Sequence, residues 1–193
     1  MCSTETIGNT LNPSERQILL KLAHDSIRHG LEQNSPLHPD GKDYPESLQV
    51  TRAVFVTLQR HGKLRGCIGH LEAIQPLLQD VCENAYSAAF RDPRFSPLGA
   101  DELADLDLHI SVLTPSVPMS FTGEEDLIRQ LQPGVDGLIM EDGMRRGTFL
   151  PSVWEQLPTP AVFLRQLKLK AGLTPDYWSD SLTVRRYHTE SFP

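Results

Sequence analysis

Residues 53–71, AVFVTLQRHGKLRGCIGHL, read as two strands joined by a tight turn. Ala53–Gln59 is apolar and β-branched, His61–Gly62 supplies the turn, and Lys63–Leu71 runs back. Neighbouring side chains in a strand point to opposite faces. Strict alternation therefore sets Leu64, Gly66, Ile68 and His70 on one face, and Arg65, Cys67 and Gly69 on the other. Two glycines this close weaken a strand, because each loses backbone entropy and packs nothing. A chain keeps them where a bulge, a near backbone or a ligand needs the space. Here that space borders a cysteine and an arginine, and a guanidinium beside a thiol favours the thiolate. Two readings of Cys67 stay open, a reactive thiol or a small apolar filler of a tight strand.

Upstream, Asn12, Pro13 and Glu15 form a helix start, and Ile18, Leu19, Leu22, Ala23 and Ile27 recur on one face, with Gly30 as the expected stop. Residues 1–11 are expected to be a flexible arm and 12–193 a single domain, with room for two tightly packed lobes. Residues 33–49 carry three prolines and a glycine and predict a long loop. Downstream, a second helix is expected from Pro76 to Phe90, ended by Asp92–Pro93. Leu106, Leu108, Ile110 and Val112 alternate with polar residues as a strand with one buried face. A short helix should open near Thr122 and Glu125. Residues 135–141 and 144–150 flank Asp142–Gly143, a second hairpin. Pro160–Ala171 predicts a third long helix closed by Gly172, and residues 182–188 a last strand. Hairpins with helices before, between and after them predict an α+β fold: a largely antiparallel sheet and about three long helices, not a doubly wound sheet.

Composition narrows the function. Apolar residues make up 39% and charged residues 22% of the 193, the range of ordinary globular proteins. A net charge of −7 argues against non-specific nucleic-acid binding, which depends on neutralising phosphates. Cys2, Cys67 and Cys82 form no C-x-x-C pair and no even framework, so they read as reduced thiols. No apolar run approaches the ~20 residues needed to span a bilayer. MCSTETIGNT lacks the features of a signal peptide, which predicts a cytoplasmic protein without membrane partners.

Several stretches carry a resemblance that no single one would. LRGCIG at Leu64–Gly69, followed by Glu72 and Pro76, is joined by NAYSAAFRDPRF at Asn84–Phe95 and HISVLTP at His109–Pro115. PGVDGLIM at Pro133–Met140 and RRGTFLPSVWEQL at Arg145–Leu157 continue the series. In this order they resemble the AMMECR domain family, whose bacterial and archaeal members are called AmmeMemoRadiSam system protein A. The resemblance implies a two-lobed α+β fold with LRGCIG facing a cleft, and association with a Memo-like and a radical S-adenosylmethionine protein. It names no reaction and no cofactor.

The candidate site is therefore Cys67 as catalytic thiol, with Arg65, Gly66, Gly69, Glu72 and Arg146 as ligand-binding residues. Arg65 and Arg146 would clamp an anion, aided by Arg91, Arg94 and Arg145; the alternative is ordinary surface arginines paired with Asp92, Glu141 and Asp142. A nucleophilic pair would need His109 or His188 from another strand. Cys67 and His70 alone are too few ligands for zinc. Cys82, on an apolar helix stripe, is expected in the core, and Trp154 and Trp178 are expected to hold loops to the body. Two functions compete: a cleft that binds or transforms a small anionic or nucleotide-like ligand, and a non-catalytic interaction module.

Overall fold

A computed structural model describes residues 10–193, which divide into two units, one of residues up to 114 with 190–193 and one of 115–189. The predicted flexible arm lies outside the described residues except for Thr10 and Leu11. Leu11 is buried, and its N–H donates to Glu190 (3.1 Å).

The first unit begins with α1, Pro13–Gln33. The Asn12 side chain accepts the Glu15 N–H (3.0 Å), and the Glu15 carboxylate accepts the Asn12 N–H (2.7 Å). That reciprocal pair, with Pro13 in the first turn, starts the helix as the sequence predicts. Gly30 does not stop it. The helix runs on to Asn34, which adopts the left-handed conformation (φ 53°) and donates its N–H to the Gly30 carbonyl. Gly30 has a packing reason instead: a Cβ there would lie 2.4 Å from the Phe90 ring and 2.7 Å from that of Tyr86.

β1 (Val54–Arg60) and β2 (Lys63–Gly69) form the expected hairpin, and His61 and Gly62 both take positive φ in its turn. Strict alternation fails in β2. Leu58 pairs with Gly66 but Gln59 with Leu64, so Arg65 is the extra residue of a β-bulge. Cross-strand partners share a face, which moves Leu64 to the side of Cys67 and leaves it 44% exposed. α2 (Leu77–Phe90) packs on the other side of the sheet. It approaches so closely at Gly66 that an added Cβ would sit 2.1 Å from the Ala88 carbonyl oxygen.

β3 (Leu106–Leu113) pairs with β1. Val54, Val56, Leu58, Ile110 and Val112 point into the core with Leu19, Leu22, Ile27 and Val81 of the helices. Cys82 is buried there as expected, and loss of hydration pushes its thiol up to about 12.

The second unit contains β4 (Val117–Pro118), α3 (Glu124–Gln130), β5 (Gly137–Asp142), β6 (Arg145–Phe149), α4 (Pro160–Lys170) and β7 (Thr183–Tyr187). Its sheet runs β4-β7-β5-β6, and β5 and β6 form the predicted hairpin across Gly143 (φ 60°). Trp154 stacks on Phe163 with ring centres 3.7 Å apart and donates its indole N–H to the Asp136 carbonyl (2.8 Å). After β7 the chain enters β8 (Thr189–Phe192), which completes the first sheet in the order β2-β1-β3-β8. The α+β class stands, with two four-stranded sheets, antiparallel wherever the strand pairs are resolved. No described helix is long and apolar enough to cross a membrane.

Gly66→Ala tests the contact between α2 and β2. Overpacking of this kind costs about 1–3 kcal/mol and sometimes more, and the 2.1 Å clash is with backbone, which yields little. Urea unfolding should show a loss at or above the top of that range. A loss well under 1 kcal/mol would mean that the helix can back away.

Candidate functional site

β2 is an edge strand, and an unpaired edge is open to another chain. At Cys67 this edge is closed by side chains. The Cys67 N–H donates to the Asp92 carboxylate (2.9 Å), and the Cys67 carbonyl accepts from Arg94 (3.3 Å). Asp92 and Arg94 also bind each other through two guanidinium nitrogens, at 2.9 and 2.7 Å. A carboxylate and a guanidinium thus take the places of the C=O and N–H of a neighbouring strand. The Asp92 side chain is only 1% exposed. The Arg94 fork, with the N–H groups of Cys67 and Arg94, holds its carboxyl well below the usual range. Asp92–Pro93 ends the second helix as expected, and Asp92 supplies this clamp as well.

Arg65 leaves the bulge for a second ion pair. Its Nε and one terminal amine donate to the two oxygens of Glu102, both at 2.8 Å. Arg60 adds longer contacts to Glu102 and Asp105, each 3.3 Å. The other terminal amine of Arg65 is buried without a hydrogen-bond partner. The Arg65 and Arg94 guanidiniums lie 5.9 and 5.5 Å from the centre of the Phe95 ring.

The Cys67 side chain lies on the sheet face opposite that of Gly66 and is partly exposed. Thr57 faces it across β1 and donates its hydroxyl hydrogen to Sγ (3.2 Å). On the other side of Thr57, β3 presents His109. Cys67, Thr57 and His109 thus form one row over three strands, with about 10 Å between the outer two at ~4.8 Å per strand. That separation excludes a direct Cys67–His109 hydrogen bond, and Thr57 stands between them. Gly69, opposite Phe55, makes room for that ring: its Cβ would fall 2.3 Å from it.

The other nominated residues lie apart. Glu72 is exposed in the loop after β2. Arg146 is on β6 of the second unit, paired with Glu141 (3.0 Å). His188 also belongs to that unit and pairs with Asp136 (3.2 Å). His70 points to the helix side, where its Nδ1 meets the buried Asp80 carboxylate at 2.6 Å. Asp80 also accepts the Val54 N–H and the Gln75 amide, both at 2.9 Å. Burial raises its carboxyl despite these partners. Among the described residues no group of three or more His, Cys, Asp or Glu could hold a metal ion. Sequence reasoning missed Thr57 and Glu102; it offered Asp92 as a partner for the nearby arginines, but not the hold of that pair on the Cys67 backbone.

The Arg65 fork and the Gly99 N–H pull the Glu102 carboxyl from 4.5 down to about 2. A carboxyl depressed by folding stabilises the protein fully above its unfolded value and loses that contribution as pH falls through its folded one. The stability difference between the native chain and Glu102→Gln should therefore be full above pH 4.5 and shrink as pH falls toward about 2. Urea unfolding across that window checks it. A difference that stays flat would show that the pair contributes nothing through charge.

The sequence pattern of the AMMECR1 family matches residues 20–192. A protein of Methanothermobacter thermautotrophicus is 41% identical over 185 residues, covering 94% of this chain and 95% of its own. A protein of Methanopyrus kandleri is 36% identical over 180 residues, covering 89% and 84%. The crystal structure of an uncharacterized protein from Pyrococcus horikoshii superposes with a TM-score of 0.81 at 35% identity, over 90% of this chain and 88% of that one. With both the family pattern and these relatives running through the Cys67 strand, the clamp and the second unit, the chain belongs to the AMMECR1 family.

Proposed function

We propose that the Cys67 face of the first sheet is the working surface, and that it binds a small anionic or nucleotide-like ligand in contact with the Cys67 thiol. One arrangement supports this reading. The sulfur is partly exposed, accepts the Thr57 hydroxyl hydrogen at 3.2 Å, and sits on backbone fixed on its open side by Asp92 and Arg94. The core does not need this thiol, since the opposite face of β2 supplies the packing through Gly66 and Ile68. Thr57 holds the sulfur from one side, and Arg94 stands near it at the Cys67 carbonyl. Arg94 is 53% exposed and meets an incoming anion more readily than Arg65 does.

A second reading has its own support. Arg65 and Arg94 each already face a carboxylate at 2.7–2.8 Å, which limits the positive charge left for an anion. On that reading the face docks a Memo-like or radical S-adenosylmethionine protein, and Cys67 is a contact residue.

Iodoacetamide near neutral pH, with peptide mapping, should modify Cys67 in the folded chain and spare Cys82. Cys67→Ser should change stability by less than about 1 kcal/mol, where a core thiol would cost about 1–3 kcal/mol through a buried unpaired hydroxyl. Phosphate, sulfate or a nucleotide should raise the Tm of the native chain, by about 2.7 kcal/mol of stability at ~100-fold the Kd, and Cys67→Ser should lose that shift. An inert Cys67, or a large stability loss in Cys67→Ser, would overturn both readings. Modification of Cys67 without any anion-induced shift would favour docking.

A further inference from the structure

The second unit holds a cavity of about 140 Å³ that the proposed function does not use. Phe121, Thr122 and Gly123 form one side, and Trp178, Ser179 and Asp180 the other. The Phe121 and Trp178 rings meet edge to face, centres 5.6 Å apart and planes inclined by 65°, so the two form a corner. Asp180 is exposed at this cavity, and among the described residues its carboxylate has no hydrogen-bond or ion-pair partner. The segment that carries Trp178 and Asp180 is held from behind. Asp142 accepts the hydroxyls of Tyr177 (2.5 Å), Ser181 (2.8 Å) and Ser179 (3.0 Å). These bonds, the Tyr177 hydroxyl foremost, keep the Asp142 carboxyl below its usual range.

The face of an aromatic ring is negative, so two inclined rings beside a free carboxylate attract a cation and repel an anion. No cationic side chain lines the cavity. Trp178 already serves as a cation acceptor within the fold. The buried Lys168 ammonium lies 5.6 Å from its centre, with its charge matched by Glu124 (2.7 Å) and a further bond to the Pro175 carbonyl (3.3 Å). The ammonium is thus neutralised locally, and Asp180 sets the charge at the opening. The volume limits the guest. At ~30 Å³ per water it equals roughly four to five waters, well below the ~300 Å³ at which drug-sized pockets begin. We infer that this cavity is a site for the headgroup of a small organic cation, a quaternary or methylated ammonium. The headgroup comes either from a free small molecule or from a methylated lysine of a peptide.

Choline and 3,3-dimethylbutan-1-ol share a shape and differ in charge, so titrating the full chain with both isolates the cation. Calorimetry and tryptophan fluorescence should show choline binding at least about tenfold more tightly than the alcohol. Asp180→Asn, at an exposed position, should weaken choline by about tenfold with the Tm unchanged, and Trp178→Leu should remove binding. A trimethyllysine peptide that binds more tightly than choline assigns the site to a protein side chain, and one that binds more weakly assigns it to a free small molecule. Equal binding of choline and alcohol overturns the inference. So does the absence of choline and peptide binding into the millimolar range, or an Asp180→Asn variant that binds choline unchanged.

Discussion

A helix can touch the backbone of a strand only where one of the two gives up its side chain, and here Gly66 does so against the Ala88 carbonyl. The rest of the first unit's working region depends on that approach. With α2 lying this close, its last turn releases the chain at Arg91 beside the edge of β2, and Asp92 falls within 2.9 Å of the Cys67 N–H. A buried carboxylate without partners costs several kcal/mol. Asp92 has the Cys67 and Arg94 N–H groups and the Arg94 fork, and each of these depends on where α2 ends. The glycine that looks like open space for a ligand is therefore the place where backbone meets backbone, and the carboxylate beyond it is the tie.

Much of the fold could be read from local chemistry. Asn12 and Glu15 mark the start of α1 because a capping box needs only residues three apart. Asp142–Gly143 marks a hairpin because Gly143 takes a positive φ at the turn. The readings that went astray turn on distant partners. Gly30 resembles a helix stop, yet its lack of a side chain serves Tyr86 and Phe90 of α2. The two close glycines of β2 allow a bulge, but its place at Arg65 is defined by the partners Leu58 and Gln59. The α+β reading stands; what no local signal encodes is the return of β8 to β3 from the far end of the chain.

The candidate site was legible to the same degree. Cys67 and Arg65 stand out because a thiol and a cation between glycines is an uncommon strand. Asp92 and Glu141 could be read as partners of nearby arginines, and they pair with Arg94 and Arg146; the acid that Arg65 meets could not be read. Glu102 lies 37 residues beyond Arg65, in the 3-10 helix Ala100–Asp105, and captures both ends of its fork. Arg94, read as a surface cation, secures Asp92 and the Cys67 carbonyl at once. Electrostatics near Cys67 is therefore a matter of orientation, not of net charge. Arg65 and Arg94 are each matched by a carboxylate, so the field there comes from oriented ion pairs and not from a bare cluster of cations.

The row Cys67–Thr57–His109 adds direction to that field. A hydroxyl has one hydrogen to give and lone pairs to accept with. Thr57 gives its hydrogen to Sγ, so its oxygen is left to accept, and the partner it faces across β3 carries an imidazole N–H. All three side chains sit on paired strands, Cys67 two residues past the Arg65 bulge and the other two on the central β1–β3 ladder. A donor carried by such a ladder is fixed in place, which is the property that makes fixed dipoles effective. The face opposite the helices thus combines a thiol that the core does not require with a hydroxyl already turned toward it, on backbone that the Asp92–Arg94 clamp keeps from shifting.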